Sequence, residues 1–189
     1  MVDDMIMAAR KKLLVNFDGL CEPANPAGIP CYGFLVKNEN ALATYREYGL
    51  VNVVKPFSPE ANSNTAEYGG AIRAMEWLIE NGYANCNHDC QITVRGDNQL
   101  IIRKLKSNDY SPTAARINRL YDRAIMLRSK FARDTIRFEW VKREDNSGAD
   151  DLSEKAYYWA LKKYPCLQRR VNEHWAAMLR LEQIIYKQH

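Results

Sequence analysis

The order of hydrophobic periods along this chain constrains its fold more than any single motif. Residues 13–17, 31–37 and 41–48 are short strand-like runs, and the last two are joined by an Asn-Glu-Asn turn suited to a hairpin. Residues 51–57 read as extended. From residue 65 the pattern changes: Ala71, Met75, Leu78 and Ile79 form one helical stripe that stops at Asn81-Gly82. Strands at 91–95 and 135–141 then alternate with helices at 96–106, 113–131, 149–163 and 167–186. The order β-β-β-α-β-α-α-β-α-α predicts an α/β fold: a five-stranded mixed sheet, built as a three-strand meander followed by alternating strands and helices, with helices covering it.

At 189 residues and 47% hydrophobic content the chain can bury one full core. No run of about 18 apolar residues is present, so no membrane-spanning helix is expected. The segment "MVDDMIMAARKK" has acids first and too short an apolar stretch for a secretory signal, so a cytoplasmic protein is expected. Five scattered cysteines do not suggest a disulfide scaffold. "CNHDC" at 86–90 reads as a loop, because no second Cys/His cluster completes a zinc site.

Charge is distributed unevenly. Residues 103–143 hold twelve Lys or Arg against four acids, a local surplus of +8 inside a net charge of +4, which leaves the rest of the chain at −4. Such a basic stretch is either a solvated face or a surface for a polyanion.

In mixed sheets of this kind, sites collect beyond the carboxyl ends of parallel strands. Four acids fall there or at helix starts. Asp18 is expected to end the first strand, on the opposite face from Leu13, Val15 and Phe17. Asp97 follows the "ITVRG" strand. Glu67 lies in the first turn of the long helix, and Asp150 is placed in the first turn of a helix beginning at 149. Each has an ordinary alternative. Asn64 with Glu67 resembles a capping box, Asp97 could cap the following helix, Asp150 could favour a positive helix terminus, and Asp18 could be a turn residue. Together they suggest a different use. Clustered carboxylates repel one another unless cations neutralise them. Hard divalent ions bind oxygen ligands, and a pair about 4 Å apart activates water and stabilises a phosphodiester's leaving oxygen.

The segments "NFDGLCEPANPAG", "SNTAEYGGAIRAMEWL", "VRGDNQLIIRKL" and "WVKREDNSGADDLSEKAY" together resemble type 1 ribonuclease H, in particular its compact archaeal form. They occur in that family's order and cover about residues 13 to 160. The resemblance implies the ribonuclease H-like fold over residues 10–164, with 165–189 as a C-terminal helical extension packed on the same domain. It also implies cleavage of the RNA strand of an RNA/DNA hybrid using two Mg²⁺ ions, with Mn²⁺ as a substitute, leaving 5′-phosphate and 3′-hydroxyl ends. Asp18, Glu67, Asp97 and Asp150 match the family's catalytic metal ligands. The spacing of Asn146, Ala149 and Leu152 favours Asp150 over its neighbour Asp151. Gly19, Asn25, Ser63, Asn64, Asn98 and Gln99 match positions that contact the hybrid's shallow minor groove, where amide and hydroxyl groups read 2′-hydroxyls.

The chain departs from the bacterial form in two places. The segment "VKREDNSG" after the last strand carries no histidine, since His88 sits in another loop and His174 and His189 lie in the C-terminal extension; Arg143 and Glu144 occupy that region instead. In place of a basic, Trp-containing protrusion, only "SNDYSP" joins the two central helices, which leaves Lys104, Lys106 and Arg116 for the DNA strand. A monomer is expected. The alternative function is a superfamily member acting on double-stranded RNA or another nucleic-acid structure, or a non-catalytic hybrid binder.

Overall fold

The computed structural model describes residues 11–40, 42–86, 90–107, 115–132 and 134–186, without the side chains of 115–118 and 184–186. Its strands are β1 (Lys11–Glu22), β2 (Ile29–Lys37), β3 (Ala43–Leu50), β4 (Cys90–Gly96) and β5 (Ile136–Trp140). Its helices are α1 (Ser63–Glu80), α2 (Gln99–Lys106), α3 (Ala115–Arg128), α4 (Arg143–Lys163) and α5 (Pro165–Tyr186). The sheet order is β3-β2-β1-β4-β5. β1 to β3 pair antiparallel, while β1, β4 and β5 run parallel. This is the mixed sheet that the change of period predicts.

Register decides where the site lies. The parallel pairing of β1 with β4 ends at Asn16 opposite Arg95, but the antiparallel pairing of β1 with β2 continues to Glu22 opposite Ile29. Asp18 therefore does not end its strand. It stands two residues beyond the point where β4 leaves, still paired with Gly33 of β2.

Alternation along β1 sends Leu13, Val15 and Phe17 into a core with Tyr68, Met75 and Leu78 of α1, Ile101, Ile102 and Leu105 of α2, and Leu120, Ala124 and Leu127 of α3. Met75, Leu78 and Leu105 are completely buried, each worth about 1.5–3 kcal/mol by apolar transfer. α4 covers the opposite face, using Ala149, Leu152, Ala156 and Ala160. There Ala156 and Tyr157 cluster with Ile29 and Cys31 of β2 and with Val171 of α5. Beyond Val171, α5 leaves Trp175, Met178, Leu179 and Leu181 exposed.

Three local expectations change. Residues 51–57 form turns rather than an extended run: the Val51 N–H donates to the Pro30 carbonyl and the Phe57 N–H to that of Gly28. Pro56 has no N–H for a ladder, and Phe57 adopts a φ of 61°. α4 begins at Arg143, not 149, because Glu144 and Asp145 in its first turn suit a helix N-terminus and outweigh the turn character of Asn-Ser-Gly. Cys86 and Cys90 are joined as a disulfide, while His88 lies outside the described residues. The expected starts of the third strand at 41 and of α3 at 113 also lie outside them.

Candidate active site

Glycines bring two helices against the end of β1. A Cβ on Gly19 would lie 2.1 Å from the Glu67 nitrogen, so only glycine lets the first turns of α1 approach this closely. That approach puts Glu67 beside Asp18. Asp97 joins them from the β4–α2 junction, where the Trp140 indole donates to its carbonyl oxygen at 2.9 Å. Asp18, Glu67 and Asp97 each offer an oxygen, and these three atoms lie within 4.8 Å of one another. Asp18 and Glu67 are buried, and Asp97 is partly so.

The helix caps are made by other residues. Asn62 caps α1 by accepting from the Thr65 N–H at 3.0 Å. Asn98 caps α2 by accepting from the Ile101 N–H at 3.2 Å. Glu67 and Asp97 are therefore free of the capping duties that their positions allowed. Asp150 sits well inside α4, away from its N-terminus, so a dipole role does not account for it either.

The electrostatics are those of a site short of positive charge. Burial, reinforced by Asp97 and Asp150, pushes the Asp18 carboxyl up to about 6, against the opposing hydrogen bond from Ser153 and the charge of Arg143. Glu67 rises well above the ordinary carboxylate range, first from burial and then from Asp18 and Asp97. Its Oε2 is buried with no hydrogen-bond partner. A carboxylate oxygen left bare among other carboxylates costs several kcal/mol unless a proton or a cation supplies the charge. The donor set is all oxygen, which fits a hard divalent ion such as Mg²⁺.

Asp150 lies outside this three-acid group. Its Oδ1 accepts from Arg143, about two turns earlier in α4, at 2.6 Å, yet its charge still raises the Asp18 carboxyl. Asp151 is exposed.

The expected substrate-contacting residues divide into two groups. Asn25, from the β1–β2 turn, exchanges two hydrogen bonds of 3.0 Å with Ser63, and Asn98 donates to Asn64 at 3.5 Å. With Gly19 beside the acids and Gln99 exposed at the start of α2, they form a polar rim along one side of the cluster. Arg143 belongs instead to the Asp150 side. Lys104 and Lys106 lie on α2, and the Arg116 side chain is outside the described residues.

The basic stretch is less uniform than its composition suggests. Arg123 pairs with Glu76, Arg128 donates to the Leu105 carbonyl, and Arg137 donates to Thr93.

Of four further residues that bear on the site, Asn146 is marked in sequence by its spacing to Asp150, and the other three gave no strong signal. Ser153 donates to Asp18 Oδ2 at 2.5 Å. Asn146 donates to the Phe17 carbonyl at 2.9 Å and accepts from Asn16 at 3.0 Å. Trp140 holds the Asp97 turn. Only the amide in mid-strand, Asn16 among Val15 and Phe17, could have been flagged as a buried polar group needing a partner.

A family model described as reverse transcriptase-like matches residues 43–156, more than half of the chain. The chain belongs to that family, within the ribonuclease H-like superfamily. Its fold is similar to the N-terminal RNase H domain of Rv2228c from Mycobacterium tuberculosis, solved as a fusion with maltose-binding protein, at 25% identity and a TM-score of 0.64 over 81% of this chain and 98% of that one. It is also similar to RNase H1 from the halophilic archaeon Halobacterium salinarum (25% identity, TM-score 0.62, 77% and 97% covered). A third similar structure is LC11-RNase H1, isolated from compost by a metagenomic approach (25% identity, TM-score 0.65, 79% and 98% covered). That protein has also been solved in complex with an RNA/DNA hybrid.

Proposed function

We propose that this protein is a divalent-cation-dependent endonuclease that hydrolyses the RNA strand of RNA/DNA hybrids, leaving 5′-phosphate and 3′-hydroxyl ends. The observation that carries the reading is the cluster of Asp18, Glu67 and Asp97, in which Glu67 Oε2 is buried without a hydrogen-bond partner. The hybrid as substrate is supported by similarity to RNase H1 proteins, one of which was solved with that ligand.

In this reading Asp18, Glu67 and Asp97 hold Mg²⁺, or Mn²⁺ in its place, and Asp150 completes the set for a second ion. When bound, such ions supply an activated water and charge stabilisation at the scissile phosphate. The protein's own part is positional. α1 and β1 fix Glu67 against Asp18 through the Gly19 contact, and Trp140 fixes the Asp97 turn. The rim of Asn25, Ser63, Asn64, Asn98 and Gln99 presents uncharged donors and acceptors, suited to 2′-hydroxyls in a shallow minor groove and indifferent to base sequence. Lys104 and Lys106 on α2 would supply positive charge for the DNA strand's phosphates. α4 follows β5 after only Val141 and Lys142, which leaves no loop there to carry a histidine. Arg143, which pairs with Asp150 and also feels the charges of Asp18 and Asp97, would be available to a phosphate if a cation took its place on that carboxylate.

One labelled 12-mer, presented as RNA/DNA, RNA/RNA and DNA/DNA duplexes with Mg²⁺ or with chelator, tests the reading. Cation-dependent cleavage of RNA in the hybrid alone is the expected result. Preferential cleavage of RNA/RNA would shift the substrate class, and binding without cleavage would remove the enzyme.

A further inference from the structure

We propose that Ser153 is a positioning residue for Asp18, its buried hydroxyl fixing the carboxylate so that one oxygen stays turned toward the cation. The inference rests on the cation-holding role given to Asp18 above and adds a residue to it.

The Ser153 side chain is 1% exposed, and its Oγ lies 2.5 Å from Asp18 Oδ2. It has a second acceptor within reach, the Asp150 carbonyl at 2.9 Å, but a serine carries only one hydroxyl proton. A serine in mid-helix with no other role would give that proton to the carbonyl of its own helix. Here a carboxylate competes, at the shorter distance, and charge-assisted hydrogen bonds are the stronger kind. The proton therefore goes to Asp18, and the hydroxyl bridges the acid on β1 to the turn of α4 that carries Asp150.

The fold provides this proximity. A Cβ on Gly33 would lie 2.5 Å from the Ser153 nitrogen and from the Leu152 Cβ, so glycine on β2, directly opposite Asp18 in the ladder, lets α4 approach. Seven residues earlier on the same buried face, Asn146 donates to the carbonyl of Phe17, the residue before Asp18. α4 thus holds the backbone leading into Asp18 with an amide and its side chain with a hydroxyl. Asn146 hydrogen-bonds to the Phe17 carbonyl and to Asn16, whereas Ser153 bonds directly to one oxygen of the carboxylate that would hold the ion. Groups of this kind, one bond removed from a ligand, commonly set affinity by ten- to a hundredfold.

The test compares the full-length wild type with Ser153→Ala, Ser153→Thr and Asn146→Ala by calorimetric titration with Mn²⁺, alongside thermal melts and hybrid kinetics. Mn²⁺ affinity should fall about tenfold in Ser153→Ala and recover in Ser153→Thr, which keeps the hydroxyl. In Ser153→Ala, kcat should fall while the KM for hybrid holds. Asn146→Ala should lose melting temperature with a much smaller change in affinity. Wild-type uptake with unchanged affinity in Ser153→Ala overturns the positioning role and leaves the proposed site standing, even if the melt shifts. No Mn²⁺ uptake by the wild type overturns both.

Discussion

Two helices close on Asp18 from opposite faces of the sheet, and they treat it in opposite ways. α1 brings a second carboxylate, Glu67, with a buried oxygen that has no partner. α4 brings a hydroxyl, an amide on the neighbouring carbonyl, and an acid already paired with Arg143. One face accumulates negative charge without compensation; the other is closed by hydrogen bonds. The difference separates two tasks that a metal site must perform. Unbalanced charge makes a cation necessary, and a hydrogen-bonded polar network holds the ligands still while it is absent. Stability in the metal-free state is sacrificed on the α1 side and recovered on the α4 side.

The comparison breaks most visibly at the uncompensated acids. Glu67→Gln and Asp97→Asn should each lower Mg²⁺-dependent hybrid cleavage on the order of a thousandfold, since each removes several kcal/mol of charge stabilisation at the phosphate. Glu67→Gln should also melt at a higher temperature than wild type in chelator at neutral pH, because it removes a buried like charge with little change in volume. Unchanged turnover in either variant would dismantle the three-acid site.

The pH dependence of the metal-free protein is the next largest effect, and its sign is unusual for acids. Asp18 titrates near 6 in the fold against 3.8 when unfolded, and Glu67 is displaced the same way. Between these limits the folded state holds protons that the unfolded state has released. Stability should therefore fall as pH rises from about 4 to about 6, by roughly 3 kcal/mol for Asp18 alone. Saturating Mg²⁺ should restore it, and restore it more at pH 7 than at pH 5, where protons compete. Chemical denaturation across that range, with and without Mg²⁺, decides the matter; a rise in metal-free stability over the window would contradict the burial argument.

On the α4 side the effects are smaller and more selective. Asp150→Asn should lower cleavage roughly ten- to a hundredfold, less than loss of Glu67 or Asp97 because Asp150 stands outside their group, while exposed Asp151→Asn should stay within about twofold. Side-by-side rates at one Mg²⁺ concentration test it. The reverse order would mean that the acid facing Asp18 is not the one paired with Arg143.

What could be read from sequence follows the same division. The sheet was legible because strand and helix periods differ, and the four acids because the sequence pattern put them at strand ends and helix starts, although in the fold only Asp97 lies between elements. The α4 side was obscure because its parts look ordinary. Asn-Ser-Gly reads as a loop, yet it lies within a helix that Glu144 and Asp145 start at Arg143. Ser153 is one serine among exposed helix polars until Gly33 brings β2 beneath it. Close approach between elements far apart in sequence has no local signature. The basic stretch misled in the other direction: its count of twelve cations includes Arg123, Arg128 and Arg137, which are engaged within the fold.

That last point sharpens the smallest prediction. If α2 faces the DNA strand, Lys104, Lys106 and Arg116 should make phosphate contacts, whereas Arg123 should not, because Glu76 already neutralises it at 2.9 Å. Each phosphate contact releases counterions, so hybrid affinity falls with added salt, with a slope set by the number of contacts. Replacing Lys104, Lys106 and Arg116 together with glutamine should weaken binding several-fold and flatten the logarithmic salt slope by about one per lost contact. Turnover at saturating hybrid should hold, since these groups bind ground and transition states alike. Arg123→Gln should leave the slope alone and lose instead a little thermal stability, within about 1 kcal/mol for a half-exposed pair. A triple variant with the wild-type slope would move the substrate off α2. An equal change of slope from Arg123→Gln would mean that the basic surface acts by its summed field rather than through particular contacts.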